Sequence, residues 1–168
     1  PGVASGDWTH HGGDPGSAKY SPLGRITAAN VGTLQVAWRR PGVDPAIRAA
    51  HADLVVPDNF RSTPLKAGRL LFASNALGLA EACDPGTGAT IWAQAVEAED
   101  LGGAGASRNL AYWTGADDAR VFNVRGRYLY ALDARTGRPA AGFGIGGRVD
   151  LMRGLGAKVT SFRWSAPG

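Results

Sequence analysis

Short runs of apolar or alternating residues, separated by glycine, aspartate and arginine, dominate the chain. Residues 70–73 (LLFA), 121–124 (VFNV) and 128–132 (YLYAL) are the clearest examples. Runs of this length between turn-forming residues are typical of β-strands. A short surface helix is predicted over residues 45–55, because apolar residues recur there at helical spacing before Pro57 ends the segment. Residues 97–106 (EAEDLGGAGA) predict a flexible loop, so we expect an all-β chain with one long insertion.

One turn motif occurs twice. Residues 82–88 (ACDPGTG) and 131–137 (ALDARTG) share the pattern A-x-D-x-x-T-G, and each copy follows a predicted strand. Aspartate can accept hydrogen bonds from the backbone two residues on, threonine can close the turn, and glycine supplies a positive φ. Cys83 takes the position of Leu132 in this alignment, which predicts a small buried hydrophobic residue and not a reactive thiol.

A tryptophan ends two of the units. Trp92 follows the first motif, and Trp38 closes an earlier segment in the same way. A large aromatic residue at the end of each unit is expected to pack between neighbouring sheets. A period of about 40–50 residues with several short strands is typical of a β-propeller blade. We expect repeats to end near residues 38, 92 and 143, so residues 1–168 form one incomplete propeller domain with no separate second domain.

Composition excludes several classes of protein. The 168 residues are 44% hydrophobic and 19% charged, which is typical of a chain that buries a core. The net charge of +4 comes from scattered arginines, which does not predict a nucleic-acid partner. No apolar run approaches the length of about 20 residues that a membrane span needs. The single cysteine excludes an intrachain disulfide, and because the chain starts at Pro1 without an export signal, we interpret it as part of a longer protein.

Further stretches carry a resemblance to a known family. They are Trp8, residues 12–14 (GGD), 20–23 (YSPL), Ile26, 30–31 (NV), Leu34, 37–38 (AW), 62–65 (STPL), 107–113 (SRNLAYW), 143–147 (FGIGG) and 149–151 (VDL). In order and approximate spacing they resemble the pyrroloquinoline quinone (PQQ)-dependent dehydrogenases of the alcohol and glucose dehydrogenase group. The resemblance covers residues 7–167. It implies a disc of about eight blades, of which this chain would supply the first quarter to third.

The resemblance also implies a function. In the family, a substrate hydroxyl is oxidised, hydride passes to PQQ, and the electrons leave to a cytochrome or to ubiquinone. A calcium-type ion holds the cofactor and acts as a Lewis acid, and an aspartate acts as general base. Later blades supply the ion's ligands and that aspartate, so no catalytic or metal residue is assigned to this chain. The family implies a periplasmic location, and the isolated chain is expected to be inactive.

Arg108 and Arg61 are the predicted cofactor-binding residues. Arg108 matches the cofactor-contacting arginine of the family motif S-R-G-x-A-Y-W, in which Asn109 replaces the glycine. A guanidinium offers a rigid fork of donors for the three carboxylates and two quinone oxygens of PQQ. The alternative is that Arg108 pairs with a loop acid, Glu99 or Asp100. Arg61 stands where many members carry a cofactor-contacting glutamate, so it either binds a PQQ carboxylate or marks an altered site.

Other features favour a different class of protein or a purely structural role. The family's adjacent cysteines are replaced by Gly102 and Gly103, a departure shared with the glucose dehydrogenase branch. A non-catalytic propeller scaffold that binds protein partners is therefore the alternative function.

The remaining motifs predict structural roles. His10-His11 predicts an exposed loop and Asp117-Asp118 predicts a hairpin turn. The glycines of residues 142–147 are not expected to form a phosphate loop. Tyr112, Trp113, Tyr128 and Tyr130 are expected to pack between blades.

Overall fold

The computed structural model describes residues 3–58, 60–101, 108, 110–161 and 164, with only the backbone of residues 4 and 99. The strands are β1 (Leu65–Ala67), β2 (Leu70–Ser74), β3 (Ala80–Cys83), β4 (Thr90–Ala93), β5 (Leu110–Thr114), β6 (Ala119–Arg125), β7 (Tyr128–Asp133) and β8 (Arg148–Asp150). The α-helix is α1 (Pro45–Ala50), and single 3-10 turns lie at Val3–Ser5, Val31–Thr33 and Ala98–Asp100. Within the described ranges, no helix is long and apolar enough to cross a membrane.

The strands form two sheets of four, in the orders β1-β2-β3-β4 and β5-β6-β7-β8. Every neighbouring pair is antiparallel and consecutive in sequence. This topology is that of a propeller blade, repeated once. The predicted all-β class is therefore confirmed. The gap between β5 and β6 that holds Asp117-Asp118 is a hairpin turn, also as predicted.

The two repeated turns use the same hydrogen bonds. Asp84 Oδ1 accepts from the backbone N–H groups of Gly86 and Thr87 and from Thr87 Oγ1, at 2.8–3.0 Å. Asp133 Oδ1 accepts from the equivalent groups of Arg135 and Thr136. The Thr87 hydroxyl and backbone hold the pKa of Asp84 below its usual value. Each turn is thus closed by an ionised aspartate.

A tryptophan from the preceding unit lies on each of these turns. Trp38 Nε1 donates to Pro85 O at 3.0 Å, and Trp92 Nε1 donates to Ala134 O at the same distance. The ring of Trp92 covers Gly137, where a Cβ would lie 2.5 Å from the indole, and Gly137 has a φ of +68°. Glycine is therefore required at this position for both its conformation and the ring's close approach. The predicted packing of a tryptophan between neighbouring sheets is confirmed for Trp92, and Trp38 makes the equivalent contact with the turn of the first sheet.

The core lies between the facing surfaces of the two sheets. The first sheet contributes Leu65, Phe72, Ala80, Ala82 and Trp92, and the second contributes Leu110, Val121, Leu132 and Ala134. Tyr112 joins them by stacking on Phe72, with ring centroids 5.8 Å apart. Cys83 is buried, and burial raises the pKa of its thiol, in agreement with a structural role.

Three local expectations need correction. The helix ends at Ala50, because the chain then extends so that Val55 N donates to Leu101 O and Leu54 packs against a second apolar cluster. The start of the predicted loop at residues 97–106 is an ordered 3-10 turn in which Glu97 and Asp100 cap each other, while residues 102–106 lie outside the described part. Trp113 is 48% exposed and contacts Arg120, and the rings of Tyr128 and Tyr130 pack against arginines. Of the four predicted aromatics, Tyr112 stacks on Phe72 of the other sheet, and Tyr130 Oη donates to Glu97 Oε1 in the segment after β4.

The position of Trp92 predicts a large cost for its removal. Trp92→Ala should lower the free energy of unfolding by about 3–5 kcal/mol, because it removes a buried ring and leaves the Ala134 carbonyl without its donor. Trp113→Ala is the matched control and should cost about 1 kcal/mol or less, because that ring is half exposed. Urea unfolding of both variants measures the difference. Equal costs would contradict the docking role of Trp92.

Candidate functional site

The two sheets begin at the same end of the molecule. Asn123 Nδ2, near the end of β6, donates to Gly78 O, in the turn that follows β2. Arg125, the last residue of β6, donates from Nη1 to Ala95 O, just beyond β4. These contacts place the end of β6 beside the end of β2. β1 is antiparallel to β2 and starts at the end of β2, and β5 likewise starts at the end of β6, so the starts of β1 and β5 lie along one edge. We call this edge the start rim.

Both predicted cofactor-binding residues lie at the start rim. Arg61 precedes β1 and Arg108 precedes β5, and both side chains are exposed. Neither forms an ion pair with any side chain in the described ranges. The segment of Arg61 is anchored because Ser62 Oγ accepts a hydrogen bond from the backbone N–H of Ser74 at 3.1 Å. Two exposed guanidinium groups, which donate hydrogen bonds to oxyanions, fit a cofactor that carries three carboxylates. The sites of Asn109, Gly102 and Gly103 lie outside the described residues.

An arginine that the sequence analysis missed anchors the segment after β4. Arg125 is 6% exposed, and its Nε lies 3.2 Å from Asp100 Oδ1 while its Nη2 lies 2.8 Å from Glu97 Oε1. Asp100, offered above as an alternative partner of Arg108, is thus an ion-pair partner of Arg125. Burial of charged groups is tolerated here because each finds an opposite charge. The signal in the sequence was the three acids at the start of the insertion at residues 97–106, without any indication of which arginine would meet them.

The same cluster continues to the outer strand of the second sheet. Arg148 Nη1 donates to Glu97 Oε2 at 2.8 Å and to Tyr130 Oη at 3.1 Å. These hydrogen bonds raise the pKa of Arg148, so its guanidinium stays charged. Burial raises the pKa of Tyr130, which therefore stays protonated at neutral pH. Arg148 and Tyr130 border a cavity of about 390 Å³ between the first and second sheets.

Glu81 is a buried carboxyl whose pKa is strongly shifted. It lies on β3, is 6% exposed, and pairs with Arg40 Nη2 at 3.2 Å, while its Oε2 has no hydrogen-bond partner in the described part of the chain. Burial raises its pKa to about 7, against the opposing effect of Arg40. Such a value suits a general base. However, Glu81 sits at the packing surface between β3 and the segment of Arg40, so we assign it a structural role.

The described residues hold no metal centre. No group of three or more histidine, cysteine, aspartate or glutamate side chains in them is arranged to bind an ion. His10 Nδ1 lies 3.0 Å from Thr9 Oγ1, and His11 is exposed, as the prediction of a surface loop requires. His10 and Asp14 border a cavity of about 470 Å³ next to Ala67 and Thr114, the last residues of β1 and β5. That cavity therefore lies at the opposite end from the start rim.

Comparison with known families agrees with this geometry. Residues 8–167 match the family described as "PQQ: Glucose/ethanol/alcohol dehydrogenase, beta-propeller domain". The match covers nearly the whole chain and includes both sheets and the start rim. The chain belongs to this family of PQQ-dependent quinoprotein β-propellers.

Individual relatives are longer than this chain. The glycerol dehydrogenase large subunit of Gluconobacter oxydans (strain 621H) is 32% identical over 176 residues, which is 95% of this chain and 22% of that protein. The dehydrogenase subunit of alcohol dehydrogenase (quinone) from the same organism is 31% identical over 138 residues, which is 79% of this chain and 16% of the relative. The chain thus spans about a fifth of the length of these relatives.

A solved structure shares the fold. The quinohemoprotein alcohol dehydrogenase ADHIIG from Pseudomonas putida HK5 superimposes with a TM-score of 0.64, at 23% identity, over 88% of this chain and 19% of that one. The agreement shows that the two sheets are propeller blades of this type.

The burial of Glu81 predicts a pH-dependent stability. Because its pKa is higher in the folded state, the protonated form stabilises the fold, and this contribution is full below pH 4.5 and lost as pH rises through about 7. The loss amounts to about 3 kcal/mol. Glu81→Gln should remove this part of the pH dependence, whereas Asp53→Asn, at an exposed position, should leave it intact. Urea unfolding at several pH values between 4 and 9 measures the effect, and parallel curves for wild type and Glu81→Gln would refute it.

Proposed function

We propose that residues 1–168 are the N-terminal part of the propeller domain of a PQQ-dependent dehydrogenase that oxidises an alcohol or sugar hydroxyl. The blade repeats would end near residues 38, 92 and 143. The observation that carries the proposal is the family match over residues 8–167, together with two exposed arginines at one edge of consecutive blades. Relatives named as glycerol and alcohol dehydrogenases support the substrate class.

In this proposal, Arg108 and Arg61 bind carboxylates of the cofactor. When bound, PQQ supplies the two-electron oxidation of the hydroxyl. The role of this chain is to hold and orient it: the start of each inner strand presents one guanidinium, and Ser62 keeps the backbone beside Arg61 in place. Two cations at one edge would favour the anionic cofactor over neutral quinones. Calcium ligands and the general base would come from other parts of the protein.

The remaining partners follow from the same family membership. Electrons would pass to a cytochrome or to ubiquinone, in a periplasmic enzyme. The relative named 1-butanol dehydrogenase (cytochrome c), from Thauera butanivorans, supports a cytochrome as acceptor. The isolated 168 residues are expected to be inactive, because in the family the general base and the ligands of the ion come from later blades.

The decisive experiment is reconstitution of the full-length protein that carries this chain. After addition of PQQ and calcium, we expect reduction of an artificial electron-acceptor dye with primary alcohols, polyols or sugars as donors. The control omits PQQ. Bound PQQ without dye reduction on any alcohol or sugar would overturn the dehydrogenase assignment, and failure to bind PQQ would favour a scaffold that binds proteins.

The role of Arg108 makes a specific prediction. Arg108→Gln should raise the PQQ concentration needed for half-maximal reconstitution by about tenfold or more, because a charge-assisted pair with a carboxylate is lost. Arg61→Gln should act in the same direction. Arg69→Gln is the matched control, since Arg69 is exposed in the turn between β1 and β2, at the end opposite the start rim. Equilibrium titration with PQQ measures all three, and a control variant as impaired as Arg108→Gln would refute the role.

A further inference from the structure

The cavity beside Arg148 lies at the β4 and β8 side of the two sheets, whereas Arg61 and Arg108 precede β1 and β5, at the other side. It is bordered by the segment after β4, through Gln94 and Glu97, and by Tyr130 and Arg148 on β7 and β8. Arg108 precedes β5, which is the opposite edge strand of the same sheet. Three strand spacings separate β5 from β8, a distance of roughly 14 Å. A ligand in this cavity would therefore occupy a site distinct from the one proposed for the cofactor.

Arg148 presents unused donors in a fixed orientation. An arginine has five N–H groups, and both hydrogens of Nη1 are used by Glu97 Oε2 and Tyr130 Oη. Nε and Nη2 have no acceptor among the residues that the structure describes. The guanidinium lies 4.4 Å from the ring centroid of Tyr128 and 5.8 Å from that of Tyr130, so its plane is held by two aromatic faces. The Nε–Nη2 edge is a preorganised fork of the kind that binds carboxylates.

A second polar group at the cavity lacks a partner. Gln94 is 5% exposed, and its Oε1 accepts from the backbone N–H of Ala80 and from Asn123 Nδ2. Because both of these contacts come from donors, the orientation of the amide is determined. Its Nε2 then has no acceptor in the described part of the chain. A buried donor without an acceptor is costly, and a ligand oxygen or a water held by the ligand would satisfy it.

The charge of Glu97 does not oppose an anion here. Its Oε1 lies 2.8 Å from Arg125 Nη2, and its Oε2 lies 2.8 Å from Arg148 Nη1. The negative charge is therefore shared by two guanidinium groups. The rest of the wall includes Leu132, Pro139 and Ile145, which offer apolar contact to a short carbon skeleton. A volume of about 390 Å³ is at the low end of the range of small-molecule sites.

We propose that this cavity binds a small ligand through a carboxylate group held by the Nε–Nη2 edge of Arg148. Glu97, Tyr128 and Tyr130 act as positioning residues that fix the guanidinium. The apolar wall receives the carbon skeleton of the ligand. The site is independent of PQQ, so the full-length protein should bind the ligand with or without cofactor.

The probe for this site is succinate, titrated calorimetrically into the full-length protein without PQQ at constant ionic strength. We expect saturable binding of succinate, no binding of the neutral analogue succinamide, and weaker binding of inorganic phosphate. Absence of saturable succinate binding would overturn the proposal, and so would phosphate binding as tight as that of succinate.

A matched pair of variants locates the binding without disturbing the cluster. Gly146 lines the cavity, has a φ of +62°, and has open space where a Cβ would lie. Aspartate and asparagine both tolerate this conformation and differ mainly in charge. Gly146→Asp should weaken succinate binding by about tenfold or more through repulsion, whereas Gly146→Asn should leave it within about threefold. Equal affinities of the two variants would place the succinate elsewhere.

A second pair tests the fork itself. Arg148→Lys keeps the charge but loses the two parallel donors, and should weaken succinate binding by about tenfold. Arg138→Gln is the control, because Arg138 is exposed and does not line the cavity. Thermal unfolding of each variant verifies that the fold is retained. Wild-type affinity in a folded Arg148→Lys variant would refute the role of Arg148.

Discussion

Docking of one unit's tryptophan onto the next unit's aspartate turn is the interaction on which the two-sheet structure depends. The turn must first be closed, which Asp84 and Asp133 achieve by accepting three hydrogen bonds each. The glycine that ends the turn then leaves room for the indole, and the indole N–H satisfies a turn carbonyl. Ring burial and hydrogen bonding act together here, so each sheet's position is set by its predecessor.

That packing brings the candidate site residues to one edge. Arg61 and Arg108 precede the first strand of consecutive sheets, and stacking those sheets side by side places both at the start rim. The buried cluster around Arg125 secures the first part of the segment between the sheets, because Asp100 and Glu97 form ion pairs with Arg125 at the end of β6. The scaffold therefore anchors the backbone beside Arg61, while the side chains of Arg61 and Arg108 remain exposed. This combination of a rigid frame and accessible donors suits the binding of an anionic cofactor.

Much of this was readable from local sequence. Strand periodicity, the repeated aspartate turns, the buried place of Cys83 and the tryptophan docking all depend on short-range patterns or on an internal repeat. The helix of residues 45–55 was predicted too long, because Leu54 leaves the helix to reach a distant apolar cluster. Likewise, Tyr112 and Trp113 are neighbours on β5 and point to opposite faces of the sheet, and the packing of the two sheets decides that the face of Tyr112 meets the other sheet.

The sequence by itself determined the strands, the turn chemistry, the family and the two candidate arginines, since each rests on neighbouring residues or on motif spacing. Only the tertiary structure decided the partners of the charged residues. Arg125 forms ion pairs with Asp100 and Glu97, and Arg40 forms one with Glu81. The partners lie far apart in the sequence, and no periodic pattern of residues links them. The same holds for the unused edge of Arg148. Ion pairing depends on distances of a few ångströms between segments, and those distances exist only after the sheets have packed.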